Sequence, residues 1–83
     1  MTEHLFDLLN SPDYRERAKG EYLFVKEKYD KLHMAIIKRE AGMLDFKPNC
    51  PMEQWKSQAK AMGEYLYQLE VKAAIEGVDL SDD

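Results

Sequence analysis

The sequence has little cysteine, little glycine and no long apolar run. Cys50 is the only cysteine among 83 residues, so no disulfide forms within the chain. Cys50, His4 and His33 are too few to make up a zinc site. No apolar stretch approaches the roughly 20 residues that span a bilayer, and the acidic N-terminus has no basic leader. These absences predict a cytoplasmic protein without a metal, a cofactor or a membrane anchor.

Groups that could carry out catalysis are equally scarce. The sequence has no glycine-rich phosphate loop. Cys50 has no histidine close to it in sequence, and His33 lies within a charged helical stretch where a solvent-facing ring is expected. The carboxylates are dispersed among lysines rather than paired for acid-base work. We therefore expect a protein that is not an enzyme.

Helical periodicity is what the sequence has in abundance. It predicts an all-α single domain with a short helix at about 3–9 and long helices at about 12–41 and 51–76. The short connection between the long helices, with two prolines, predicts that they pair antiparallel as a coiled-coil-like hairpin. The boundary signals are Thr2 and Ser11 as N-caps, Pro12 and Pro51 at first helical positions, and Gly42 and Gly77 as left-handed stops.

One apolar seam runs along each long helix. The first seam has spacings of four and three residues, typical of a coiled coil, and Met43 extends it by a heptad. Gly20 interrupts it at a cost of about 1 kcal/mol relative to alanine, which indicates a bend or a close contact. The two seams are Ala18, Tyr22, Val25, Tyr29, Leu32 and Ile36, and Met52, Trp55, Ala59, Met62, Leu66, Leu69 and Ala73.

A hairpin buries one stripe per helix, and this chain has more apolar residues than that. The short first helix has two turns and cannot cover both outer faces along their length. An apolar surface of this size is typical of an interface, so we expect a homo-oligomer; the alternative is a monomer covered by the first helix. The residues expected at the oligomer interface are Leu23, Phe24, Ile37, Tyr65, Tyr67, Val71 and Ile75.

Charge is distributed unevenly. Between Arg15 and Arg39 eight lysines and arginines stand against four carboxylates, giving this segment +4 while the whole chain carries −4. The acidic total disfavours DNA or RNA as a partner. Cations interleaved with aromatic rings suit a small anionic nucleotide, although an ordinary charged hairpin would show the same pattern. The predicted ligand-binding residues are Arg15, Lys19, Tyr22, Lys26 and Tyr29.

The segment "CPMEQWKSQAKAMGEYLYQLEVKAAIEGVDL" resembles part of a family of small bacteriophage proteins first catalogued in crAss-like phages. The resemblance covers roughly Tyr22 to Leu80 and implies no site residues. It rests on Gln58, Met62, Tyr65, Leu66, Leu69 and Glu70, which follow a proline-containing turn. The architecture is also similar to that of phage hairpin proteins that sequester cyclic nucleotide signals of bacterial immunity.

Two functional hypotheses follow. In the first, a homo-oligomer in the cytoplasm of an infected bacterium holds a cyclic nucleotide in pockets between protomers and silences a defence effector. In the second, the uncovered apolar face binds a host protein and inhibits or redirects it. A structural phage component is a third alternative.

Overall fold

The protein is a bundle of three helices arranged around one long central helix. The computed structural model describes residues 3–81, with side chains from Leu5 onward. Helix α1 spans Glu3–Leu9, α2 spans Tyr14–Glu40 and α3 spans Met52–Glu76. Within residues 3–81 there is no strand, so the all-helical prediction is confirmed. Both α1 and α3 pack against α2, and the molecule measures 43 × 26 × 20 Å.

The start of α2 differs from the prediction. Asp13, rather than Ser11, is the N-cap, and its Oδ1 accepts a hydrogen bond from the Arg15 amide at 2.9 Å. A carboxylate suits this position because it also meets the positive end of the helix dipole. The Ser11 hydroxyl accepts from the Asp13 amide at 3.1 Å and thereby shapes the turn before the helix. Pro51 is likewise the N-cap of α3 rather than its first helical residue, and Thr2 lies outside the described residues.

Both long helices end at a glycine in the left-handed conformation. Gly42 has φ 73° and Gly77 has φ 70°, a region that side chains with a Cβ rarely adopt. The backbone amide of the next residue then donates a hydrogen bond to a carbonyl of the last helical turn. For Met43 the acceptor is the Lys38 carbonyl, at 2.8 Å. Because Gly42 turns the chain away, the Met43 side chain is 73% exposed and does not continue the seam as predicted.

Contacts between α2 and α3 define an antiparallel hairpin. Tyr29 faces Gly63, and further along α2 the Arg39 guanidinium lies 4.9 Å from the centre of the Trp55 ring. The same Arg39 donates to the Cys50 carbonyl at 2.9 Å, which ties α2 to the loop as well as to α3. Leu66 and Ala73 of the predicted α3 seam are buried, and the other residues of that seam are half-buried.

Two tyrosine–glutamate hydrogen bonds cross the hairpin in opposite directions. The Tyr22 hydroxyl of α2 donates to Glu70 of α3 at 2.7 Å, and the Tyr65 hydroxyl of α3 donates to Glu21 of α2. The bond to Glu70, with a contribution from burial, raises the pKa of Tyr22 from 10.0 to about 12. The bond to Glu21 raises the pKa of Tyr65 in the same way. These paired bonds help to fix the register in which the two helices meet.

Helix α1 crosses α2 at Gly20. A Cβ added to Gly20 would lie 3.0 Å from both the Leu8 Cβ and the Leu9 amide nitrogen. Leu5 and Leu8 are buried in this contact layer, and the turn before Tyr14 folds α1 back over α2. Glycine is therefore required here by the close approach of two backbones, which accounts for its place inside a long helix.

The hairpin and α1 leave much apolar surface uncovered. Five of the seven residues predicted at an interface are exposed, from Val71 at 38% to Ile75 at 80%. Leu23 and Phe24 are half-buried instead, since they follow Gly20 by three and four residues and share the α2 face that α1 covers. The accessible surface is 6157 Å², about 1,000 Å² more than a monomer of this mass usually exposes.

Replacing Gly20 with alanine tests the α1–α2 contact. The added methyl group would push against the backbone of α1, so Gly20→Ala should lower the free energy of unfolding by about 1–3 kcal/mol, despite the better helix propensity of alanine. Gly63→Ala is the matched control, because its Cβ would lie 3.4 Å from the Tyr29 ring and should be neutral or stabilising. Urea unfolding at one fixed protein concentration measures both, and equal stability of the two variants would contradict the close contact.

Removing the Tyr22 hydroxyl tests the paired hydrogen bonds. Tyr22→Phe should cost about 1 kcal/mol at neutral pH. Since folding raises the pKa of Tyr22 from 10.0 to about 12, its contribution is fully present below pH 10 and is lost as the pH rises toward about 12. Urea midpoints of the wild type and the variant should therefore converge across that interval. A constant difference up to pH 12 would contradict the hydrogen bond to Glu70.

Candidate functional site

An open groove lies between α2 and α3 near the middle of the hairpin. Its volume is about 450 Å³, within the range of small-molecule sites. One wall comes from α2 and the rest from successive turns of α3. The lining residues are Tyr29, Ala59, Lys60, Gly63, Glu64, Tyr67 and Gln68.

Gly63 of α3 faces Tyr29, the aromatic wall of this groove. With no side chain at this position, the Tyr29 ring lies against α3, and its Cε1 is 3.4 Å from where a Cβ would be. The His33 ring stacks on Tyr29 at a centroid distance of 5.8 Å and an angle of 8°. The Lys26 ammonium also lies 5.8 Å from the Tyr29 ring centre. Tyr29 is therefore held in place, whereas Tyr67, which also lines the groove, is 63% exposed.

The groove has a balanced charge within one chain. Lys60 is its one lysine and Glu64 its one carboxylate among the described lining residues, and they stand four residues apart on α3. A ligand with two phosphodiester charges would need more positive charge than Lys60 supplies. The chemistry available to one chain is ring stacking on Tyr67, a single cation and the Gln68 amide.

The structure does not bring the five predicted ligand residues to one place. Arg15 and Tyr29 are separated by about 21 Å along α2, and Arg15 contacts its own cap, Asp13. The Tyr22 hydroxyl is occupied by Glu70. The other two cations are Lys26, which pairs with Asp30 at 3.0 Å, and the half-buried Lys19. Tyr29 alone of the five lines the groove, and the role of all five in ligand binding stays a prediction.

Five groove residues were not anticipated from the sequence as site residues, namely Ala59, Lys60, Gly63, Glu64 and Gln68. Gly63 carried a usable signal, because a glycine inside a helix is costly and indicates a close neighbour. Lys60 and Gln68 carried none, since single polar residues on a helix are ordinary. Tyr67 was predicted at an oligomer interface rather than in a pocket, and it borders both surfaces.

Other kinds of site find little support in the part of the chain that the structure describes. Residues 3–81 contain no cluster of three histidine, cysteine or carboxylate side chains able to hold a metal ion. Among the same residues, no helix combines the length and the hydropathy needed to cross a bilayer. Cys50 is exposed, and its carbonyl rather than its thiol takes part in the hairpin contact.

Comparison with known proteins identifies a family. No curated protein and no solved structure matches the chain. The family model named Sequestin matches residues 12–75, which include all of α2 and nearly all of α3. The matched part therefore contains both walls of the groove and the whole seam of the hairpin. Because this match covers well over half of the sequence, the chain belongs to the Sequestin family.

Proposed function

We propose that the protein is a non-enzymatic bacteriophage counter-defence factor that sequesters a cyclic nucleotide signal of bacterial immunity in the infected cell. Membership of the Sequestin family is the observation that carries the proposal, because the family name is compatible with a sequestering, binding role. The phage origin and the nature of the ligand are parts of the proposal. The resemblance of the α3 sequence to small phage proteins supports the first, and the similarity of the architecture to phage hairpin proteins that sequester cyclic nucleotides supports the second.

The groove between α2 and α3 supports a nucleotide as the ligand. The exposed Tyr67 ring offers a stacking surface for a base, and the Lys60 ammonium offers a partner for a phosphate. Sequestration requires binding of the ligand and no cleavage of it, so each occupied site removes one ligand molecule. Protection then depends on the number of sites rather than on turnover.

The openness of the groove supports a pocket shared between protomers. Lys60 supplies one positive charge, and one side of the cavity is open to solvent. A second copy placed against the outer face of α3 would cover that side and contribute its own lysines. The outer face carries Tyr67, Val71 and Ile75 at successive intervals of four residues, all exposed. We refer to these three residues as the α3 stripe.

The α3 stripe also favours a second candidate function. Ile75 is 80% exposed and Tyr67 63%, and aromatic and aliphatic anchors of this kind are typical of protein interfaces. A host protein bound there would be inhibited or redirected without any nucleotide. Protein capture that is lost in Ile75→Asp, together with no nucleotide binding, would favour this candidate.

Isothermal titration calorimetry against a panel of cyclic mononucleotides and dinucleotides tests sequestration. The wild type should bind at least one of them, with fewer than one ligand per chain for a shared pocket. Tyr67→Ala should weaken binding at least about fivefold, because stacking on an aromatic side chain contributes about 1–3 kcal/mol per base. Lys60→Ala should also weaken it.

Lys72→Ala is the matched control, since Lys72 is exposed on the same helix and does not line the groove. It should bind as the wild type does. The absence of heat with every member of the panel would contradict sequestration of a cyclic nucleotide.

Sedimentation equilibrium tests self-association through the α3 stripe. At micromolar concentration the wild type should exceed the monomer mass of 9.7 kDa, and Val71→Asp should lower the average mass because it buries a charge in an apolar contact. Gln58→Asp adds the same charge at an exposed position of α3 that lies about 140° around the helix from Val71 and should leave the mass unchanged. A wild type that sediments as a monomer would remove the stripe as an interface between copies.

A further inference from the structure

A second apolar surface lies at the opposite side of the molecule from the α3 stripe. The loop after α2 folds against the last turns of that helix and encloses a groove of about 400 Å³, which we call the tip groove. Its apolar lining includes Met34, Met43 and Phe46, which are 51%, 73% and 59% exposed. Its charged residues are Lys31, Lys38 and Asp45. The surface is thus concave, apolar at its centre and mainly basic at its edge.

The tip groove continues the face of α2 on which α1 lies. Four residues at intervals of seven, four and seven lie along this side of α2. They are Gly20, Glu27, Lys31 and Lys38. Helix α1 covers this side at Gly20 and the tip groove occupies it around Met34. The two positions are about 21 Å apart along α2. One half of the face therefore carries a protruding helix, and the other half carries a recess.

The outer side of α1 has the chemistry that the tip groove would accept. Leu5 and Leu8 are buried, whereas Phe6 is 64% exposed and Asp7 is exposed. Asp7 lies two residues after Leu5, about 200° around the helix, and so points away from α2. An aromatic ring beside a carboxylate matches an apolar recess edged by Lys31 and Lys38.

We propose that α1 of one copy docks into the tip groove of a second copy. When two α2 helices run antiparallel about a two-fold axis near Glu27, each α1 lies over the recess of the other chain. Phe6 then meets Met34, Met43 and Phe46 of the second copy, and Asp7 meets its lysines. The contact is two-fold symmetric, because α1 of each copy fills the tip groove of the other. Neither tip groove is then left open to a third copy.

The molecule as a whole exposes more surface than a typical monomer, on the α3 stripe as well as here. The chain exposes about 1,000 Å² more than a monomer of its mass usually does, and a stable interface buries about 800 Å² per partner. The contact uses none of the residues of the α3 stripe and none of the groove proposed to hold a nucleotide. Its presence or absence is therefore independent of the proposed sequestering function.

Disulfide trapping between two singly substituted variants tests the proposal. In a Cys50→Ser background, which removes the exposed native thiol, Phe6→Cys and Met34→Cys are purified separately, mixed, allowed to exchange subunits and mildly oxidised. The mixture should give a covalent dimer that neither variant gives alone, because only a mixed dimer places one cysteine opposite the other. Circular dichroism of each variant checks that the helices are intact.

The matched control mixes Phe6→Cys with Ile75→Cys, whose cysteine stands on the most exposed apolar position of the α3 stripe. This mixture should give no more covalent dimer than random collision does. Equal yields from the two mixtures, or no covalent dimer from Phe6→Cys with Met34→Cys, would overturn the docking of α1 in the tip groove. Phe6→Asp gives a second readout and should raise the dissociation constant of this contact at least about tenfold.

Discussion

The seam between α2 and α3 is the interaction on which the rest of the structure depends. It sets the antiparallel register through crossed tyrosine–glutamate bonds, and it positions Tyr29 against Gly63 to form the groove. The seam is narrow, since Leu66 and Ala73 are the buried apolar residues of the long helices within the described range. A small chain with so thin a core gains little stability from its own burial. The outer surfaces therefore matter as much to this protein as its interior does.

Helix α2 contacts a different helix on each of its two sides, so the molecule has two different outer surfaces. Helix α3 covers one side of α2, and α1 covers half of the other. This leaves the outer face of α3 and the tip groove as separate apolar regions. The proposed sequestering role needs only rigid binding surfaces. The helical hairpin of this Sequestin family member provides such surfaces with very few residues.

The sequence predicted the features that periodicity encodes. The seam follows from heptad spacing, and the close contact at Gly20 follows from the cost of glycine in a helix. Met43 was misassigned because spacing alone does not reveal that Gly42 turns the chain away. Ser11 was preferred over the actual N-cap, Asp13, because Pro12 suits the first helical position and both residue types cap helices well. Local patterns thus fix elements better than they fix the residue at which an element begins.

The site was less predictable because it depends on the facing helix. Tyr22 and Lys26 have the composition of a nucleotide site, yet their partners are Glu70, 48 residues away in the sequence, and Asp30 on the same helix. Which cations and rings remain available is decided by pairings between distant segments, and these pairings leave no periodic trace. Lys60 and Tyr67 became site candidates only when the antiparallel register placed them beside Tyr29.

The thin core has a consequence for the lifetime of the protein in a cell. No side chain in the described part of the chain is completely shielded from solvent, so we expect the isolated fold to have a small free energy of unfolding, and proteases act on the unfolded chain. A partner that binds only the folded form lowers the unfolded fraction of the protein. The protein therefore survives longer as the concentration of that partner rises. By this linkage a copy with a bound partner would outlast a copy without one.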